Sequence, residues 1–345
     1  MADQSYRQTG LVLQRGGTAS PQQVRDLQRD LRALGYLYKD IDGIFGSGTE
    51  AALQALSHDL LHNDGSGSDG PAPIAVRDYN RGRVATVTGA CDEAFAACIG
   101  DLLDEPAFGR VPAAENAAEA NAALLEELSG ERSEVAPMPF QLGIFEQESG
   151  GKHYREPSGG NEDNFVVVGL DRNDSAASEA VTSRGYGIGQ YTFFHHPPSR
   201  DEIAGRVDSP SGNVEAARSE LRAKFDGFVN GSTSGTRADD RIAEVGTGPL
   251  RLCRYPAGDA RYMSDCLTCL RQAGAVDIRE GEPVYEGSTT LWAPTQYYAS
   301  ASYSGVPRRA AVGCDWPYAV RRYNGSGINS YHYQARVLLH MLQQG

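Results

Sequence analysis

The chain has 345 residues, enough for two or three domains and at least one substantial core, and its 22% charged content is ordinary for a folded protein. A net charge of −13 at pH 7 excludes broad electrostatic capture of nucleic acid or of an anionic membrane, and a polybasic anchor to an acidic wall equally. No apolar run approaches the roughly 20 residues that span a bilayer.

The N-terminal MADQSYRQTGLVLQRGG has no apolar stretch of signal-peptide length and no cleavage-site pattern. The expectation is a soluble chain made in the cytoplasm without a signal peptide, reaching any outside target by release or injection. Over 18–60, Val24, Leu27, Leu31 and Leu34 recur at helical spacing, and Gly35 is placed to close that helix. Asp42-Gly43 marks a turn, and Thr49 is expected to cap a second helix carrying Ala52, Leu53 and Leu56. The set Val24, Leu27-Gln28, Leu31, Leu34-Gly35-Tyr36, Asp42-Gly43, Phe45-Gly46, Thr49 and Ala52 closely resembles the peptidoglycan-binding domain of bacterial wall hydrolases. That resemblance implies a small three-helix module that holds peptidoglycan and contributes no chemistry.

Residues 61–75 include HNDGSGSDGPAP, whose Gly, Ser, Asp and Pro favour a flexible linker. Residues 76–136 read as a helical spacer or as the leading helices of the next domain; the stretch ENAAEANAALLEELSG is rich in helix formers and ends on Gly130. Cys91 and Cys98 flank a helix-like CDEAFAAC. A continuous helix would hold them roughly 10 Å apart, too far for a disulfide, so both are expected to pack as small apolar residues.

In the run Phe140 to Gly151, Phe140, Ile144 and Glu148 share one helical face at i+4 spacing, and two glycines then break the helix. If Phe140 and Ile144 are core, Glu148 is drawn to its edge. Desolvation and the negative helix end then both favour its neutral form, the form a proton donor needs. Phe165-Val166-Val167-Val168 has the β-branched density of a short strand. Ser183 to Tyr191 holds three glycines in five positions, so a backbone could approach a ligand there, with Gln190 able to donate and accept hydrogen bonds. Val214, Leu221, Phe225 and Phe228 form a stripe with Asn213 as expected cap, and Tyr333, Val337 and Met341 mark a last amphipathic helix over 331–343. Tyr323-Asn324-Gly325, with Tyr331 and Tyr333 beyond, carries rings and an amide suited to sugar.

Glu148-Ser149-Gly150, Gly187-Ile188-Gly189-Gln190 and Tyr323-Asn324-Gly325 with Tyr333 together look like the lysozyme-like lytic transglycosylase pattern, over about 140–340. The resemblance implies Glu148 as catalytic acid, Gln190 lining the sugar cleft, and Tyr323 and Asn324 supporting the acid. Ser149, Gly189, Tyr191 and Tyr333 join the expected substrate-binding set. The implied fold class is mainly α, an α+β lysozyme-like catalytic domain over 137–345 beside the three-helix module. Insertions at about 155–182 and 230–312 depart from the family's usual spacing.

A lytic transglycosylase needs one carboxylate, whereas a retaining or inverting hydrolase needs two. Asp163 or Asp171 in the inserted loop could serve as the second, as auxiliary aspartates do in goose-type lysozymes; otherwise they are plain solvated loop acids. The alternatives are therefore a goose-type-like muramidase, a chitinase-like hydrolase, or a non-catalytic wall-binding component of a phage or injection apparatus. The implied partner is the peptidoglycan glycan strand, with a delivery apparatus or an immunity protein as further possibilities, and no cofactor is expected. Cys253, Cys266, Cys269 and Cys314 could hold a structural zinc or form two disulfides in an oxidising compartment, a single CxxC being a weak zinc signal. His153, His195 and His196 read as cleft-edge or structural rather than as metal ligands.

Overall fold

Ser20 opens the first helix, α1 (Pro21–Ala33), with a capping box. Its hydroxyl accepts from the Gln23 amide at 3.3 Å, and the Gln23 side chain accepts from the Ser20 amide at 2.8 Å. The helix stops at Leu34, and Gly35 takes the left-handed conformation (φ +76°) expected of a C′ residue. Helix α2 spans Ser47–His62. Thr49 lies inside its first turn and is not the cap. Its hydroxyl instead accepts from the buried amide of Gln28 at 3.1 Å, and Gln28 also bonds Asp42, Ile44 and the Gly43 amide. One side chain of α1 thus ties down the whole loop between the two helices. Gly43 is needed there: its φ is +77°, and a Cβ would meet the Pro21 carbonyl at 2.9 Å.

In this computed structural model the described residues are 4–66, 74–193, 197–230, 251–278, 303–325 and 328–343. Beyond α2 come α3 (Glu93–Asp104), α4 (Ala117–Ser129) and α5 (Met138–Ser149). A three-stranded antiparallel sheet follows, in the order β1 (Val168–Asp171), β2 (Ser183–Tyr186), β3 (Tyr191–Phe193). Then come α6 (Arg200–Ile203), α7 (Pro210–Lys224) continued by a π-helical turn to Asn230, and α8 (Cys266–Gln272). A β-pair of β4 (Ala275–Ile278) and β5 (Tyr303–Pro307) precedes α9 (Trp316–Tyr323) and α10 (Ile328–Gln343). Helices thus dominate, with a small sheet. The match between this architecture and the lysozyme-like class lies only in that coarse mix.

The chain divides into two compact units, Met1–Leu124 with Lys152–Asn213, and Leu125–Gly151 with Val214–Gly345. These are not the expected order of module, linker, spacer and catalytic domain. In the first unit α1 and α2 do not stand apart from the inserted loop but share a core with it: Val181 joins the cluster of Leu27, Leu31, Leu53 and Leu56. Only two helices fall within 18–60, and the third helix packed on α1 is α3. The linker expected at 61–75 is helical to His62, and the Arg77 amide then bonds the Asn63 carbonyl at 3.0 Å with Ile74 and Val76 buried. Residues 67–73 of it lie outside the described residues.

Charge fastens α1 to the loop from beneath. Arg32 and Asp163 are both fully buried and ion-paired, and Arg155 also reaches Asp163 at 2.8 Å. Burial pulls the Arg32 guanidinium down to about 10, with Asp163 opposing the shift, so Arg32 stays charged at neutral pH. Arg184, also fully buried, lies over the Tyr36 ring and 3.7 Å from Asp59, which also accepts from the Tyr36 hydroxyl at 2.6 Å.

In the second unit Trp316 is the largest wholly buried side chain among the described residues, stacked at 4.3 Å on Phe225. Tyr333, Val337 and Met341 face the core from α10 as their spacing predicts. Val214, Leu221 and Phe225 are likewise buried, but Asn213 is not a cap, because α7 begins at Pro210. Phe228's side chain lies outside what is described.

Removing one partner of a buried ion pair strands the other charge, so Arg32→Met should cost about 3–5 kcal/mol of first-unit stability. The double variant Arg32→Met/Asp163→Leu should recover more than half of it. Urea unfolding of the purified chain reads both, and a single-variant loss below about 1 kcal/mol would contradict the role given to this pair.

Candidate active site

Helix α5 carries Glu148 in its last turn, and Gly150 and Gly151, both left-handed (φ +65° and +70°), end it. Phe140 and Ile144 are buried on the same face, which leaves Glu148 half-buried at the edge of the core. Helix α10 lies along α5 and packs tightly at Gly143: a Cβ there would meet Met341 Cγ at 2.7 Å and the Val337 carbonyl at 3.0 Å. That contact fixes the register of the two helices. It sets Tyr333 opposite Glu148, and the Tyr333 hydroxyl donates to Glu148 Oε1 at 2.6 Å.

Tyr323, the last residue of α9, completes the group. Burial, and then the charge of Glu148, push its hydroxyl well above the usual range, so it stays protonated at any physiological pH. Asn324 is the C-cap of α9 and is exposed, and Gly325 turns the chain with φ +108°. The Ser149 hydroxyl donates to the Phe145 carbonyl one turn back, at 3.0 Å. The second unit therefore brings Glu148, Tyr323 and Tyr333 together, with Ser149 and Asn324 as sequence neighbours of that group.

Gln190 belongs to the first unit. The expected glycine-rich loop is the tip of a β-hairpin between β2 and β3, with Gly187 at φ +73°. Gln190 is itself left-handed (φ +50°), which is uncommon outside glycine. Its side-chain amide donates to the Gly187 carbonyl at 2.8 Å and folds back over Gly169 and Gly185. A Cβ on either glycine would fall within 3 Å of the Gln190 Oε1 atom. The Gly189 amide donates to Asn213 Oδ1 at 2.9 Å. The Tyr191 hydroxyl accepts from Arg206 at 2.9 Å.

Two residues hold this hairpin that the sequence pattern did not single out for it. Asn213 bonds the Gly189 amide and the carbonyls of Tyr186 and Arg206. His153 lies beneath, its Nε2 2.9 Å from the Val207 carbonyl and its ring against Gly187, where a Cβ would approach it to 2.6 Å. His153 is therefore structural. Residues His195 and His196 lie outside the described residues.

The candidate second carboxylates are also in the first unit; Asp171 is exposed at the end of β1, whereas Asp163 is not a solvated acid. Asp163 is wholly buried between Arg32 and Arg155, and Asp171 Oδ2 accepts from the Ser183 hydroxyl at 2.7 Å. Cys91 and Cys98 are buried free thiols. Cys91 bridges Leu13 ahead of α3 rather than lying on it, so the continuous helix expected between the two cysteines does not form. Among the described residues no group of three or more His, Cys, Asp or Glu is placed to hold a metal ion, and no helix is long and apolar enough to cross a membrane.

Residues 20–57 match the family model for a putative peptidoglycan binding domain. The chain carries a peptidoglycan-binding domain. No curated protein and no solved structure matches the chain. The domain covers α1, the Gln28-held loop and most of α2, and it associates the protein with the bacterial cell wall.

Burial lowers His153 to about 4, whereas in an unfolded chain it titrates near 6.5. The unfolded state therefore binds the extra proton first. The stability held by neutral His153 is complete above about pH 6.5 and is lost as pH falls toward 4, on the order of 3 kcal/mol in all. Melting temperatures of the wild type and His153→Gln between pH 7.5 and 4 should converge as the pH drops; parallel curves would overturn the assignment.

Proposed function

We propose that the protein cleaves the glycosidic bond between N-acetylmuramic acid and N-acetylglucosamine in peptidoglycan, with Glu148 as the acid and base. The observation that carries this reading is the Tyr333–Glu148 hydrogen bond at the end of a buried helix, in a chain that also carries a peptidoglycan-binding domain. A carboxyl group held on one oxygen by a phenol has its second oxygen directed by the first, which is the orientation a proton donor requires.

The most economical mechanism is that of a lytic transglycosylase. Glu148 protonates the leaving oxygen, and the resulting carboxylate takes a proton from the muramyl C6 hydroxyl as that oxygen closes a 1,6-anhydro ring. Tyr333 keeps the carboxyl in place through both steps, and Tyr323 stays protonated within the field of Glu148. Asp163 is committed to two arginines, which favours the single-carboxylate route over a hydrolase that uses this aspartate. Gln190, Gly189, Tyr191, Ser149 and Asn324 remain the proposed sugar contacts. The glycan strand is the proposed substrate, the wall or periplasm the proposed site of action, and release or injection by another apparatus the proposed route. An immunity protein is the partner that such a route would call for in a producing cell.

Mass spectrometry of fragments released from purified sacculi tests the reaction. Anhydromuramyl ends are expected. Reducing ends would favour a muramidase with another carboxylate, chitin cleavage a chitinase, and binding without fragments a wall-binding component. Glu148→Gln should abolish fragment release, by at least about 100-fold, while sedimentation with sacculi is unchanged. Tyr333→Phe removes one hydrogen bond to a charged group, so the turnover rate should fall about 10-fold or more with little change in sacculus binding. An unaltered rate in that variant would remove Tyr333 from the site.

A further inference from the structure

Four of the six cysteines come from three separate stretches of the second unit, yet they surround one small, largely apolar cavity. Cys253 lies in the loop leading to α8. Cys266 and Cys269 lie three apart on α8 and so share a face, and Cys314 stands two residues before α9. The backbone around them is already registered. The Arg251 amide and guanidinium both bond Asp315, at 2.8 and 2.9 Å, and the Trp316 indole donates to the Leu252 carbonyl at 2.9 Å. The Met263 amide points at the Cys253 sulfur from 3.3 Å. Cys266, Cys269 and Cys314 are buried, whereas Cys253 is partly exposed. Although four thiols meet here, no group of three among the described residues is placed as metal ligands.

We infer that Cys253 and Cys314 each form a disulfide with one of the two α8 cysteines, Cys266 and Cys269, and that these two bridges fasten residues 251–272 to the start of α9 once the chain enters a compartment that oxidises thiols. Cys266 and Cys269 stand on one helix while Cys253 and Cys314 come from the stretches on either side of it, so one bridge from each α8 cysteine ties both stretches to that helix. Cys253 is the point of entry, being the exposed one. Its thiolate attacks a protein or small-molecule disulfide, forming a mixed disulfide and releasing one donor thiol. One of the α8 cysteines, Cys266 or Cys269, then attacks the Cys253 sulfur as its thiolate and expels the second donor thiol. Two electrons pass from the cysteine pair to the donor, and the two thiol protons end on the donor sulfurs. The buried pair follows by the same exchange when the loop opens. Cys91 and Cys98 stay reduced in the other unit. The fastened end of α9 is opposite the end that carries Tyr323, so reduction loosens the helix that presents this residue.

These bridges form whether or not Glu148 cleaves glycan, and detecting them needs no activity. Full-length protein equilibrated with glutathione disulfide, then denatured and alkylated, should take up label at two cysteines, rising to six after reduction. A nonreducing tryptic digest should yield residues 252–254, 262–271 and 310–321 as one linked species, and fragmentation should assign Cys253 and Cys314 each to a different one of Cys266 and Cys269. Reduction should lower the melting temperature of the second unit by roughly 5 °C. Six labelled cysteines without reduction, a bound zinc ion protecting four, or a bridge between Cys266 and Cys269 within one peptide would each overturn the proposal.

Discussion

At Gly143 α10 packs closely on α5, where a Cβ would meet Met341 Cγ at 2.7 Å and the Val337 carbonyl at 3.0 Å, and the candidate site depends on that contact. Two helices packed at such short range have one register, because the Val337 carbonyl and Met341 occupy the space that a Cβ would need. With the register set, the Tyr333 hydroxyl reaches Glu148, and α9, packed on the same helix, brings Tyr323 beside it. The polar group is thus built on rigid elements whose geometry is decided by packing several residues away. A carboxylate on a loop would have no comparable constraint.

The first unit uses a different device. Its peptidoglycan-binding domain is not a tethered module but shares its core and its charges with a distant stretch of chain. Arg32 on α1 is wholly buried and needs an acid; Asp163, 131 residues later, supplies it, and Arg155 supports Asp163 in turn. An acid so placed is a structural element rather than a reactive one. The same economy holds at the hairpin, where a neutral His153 and the amide of Asn213 satisfy backbone groups that three glycines leave open to approach.

Much of the local structure was legible in the sequence. The stripe of Val24, Leu27 and Leu31, the turn at Gly43, the greasy face ending on Glu148 and the i+4 repeat of α10 all follow from periodicity, since one buried face needs one spacing. Thr49 and Asn213 depart from their expected role as caps for a single reason. Both are capping types near a helix start, but each lies within the helix, and its side chain serves a partner distant in sequence or structure. The strand expected over Phe165–Val168 begins only at Val168, where pairing with β2 starts, while Phe165 and Val166 make isolated bridges to Ala113 and Tyr154.

Sequence by itself determined the peptidoglycan-binding domain, the helix that carries Glu148, and the residue types of the candidate site. These rest on local spacing, turn chemistry and side-chain identity, which a chain carries in order. Only the tertiary structure decided that Tyr333 holds Glu148, that Asp163 is buried with Arg32, that the domain shares its core with the inserted loop, and that four cysteines converge. Each of those is a contact between residues dozens to hundreds of positions apart. It is selected by how whole elements pack, and no local pattern encodes it.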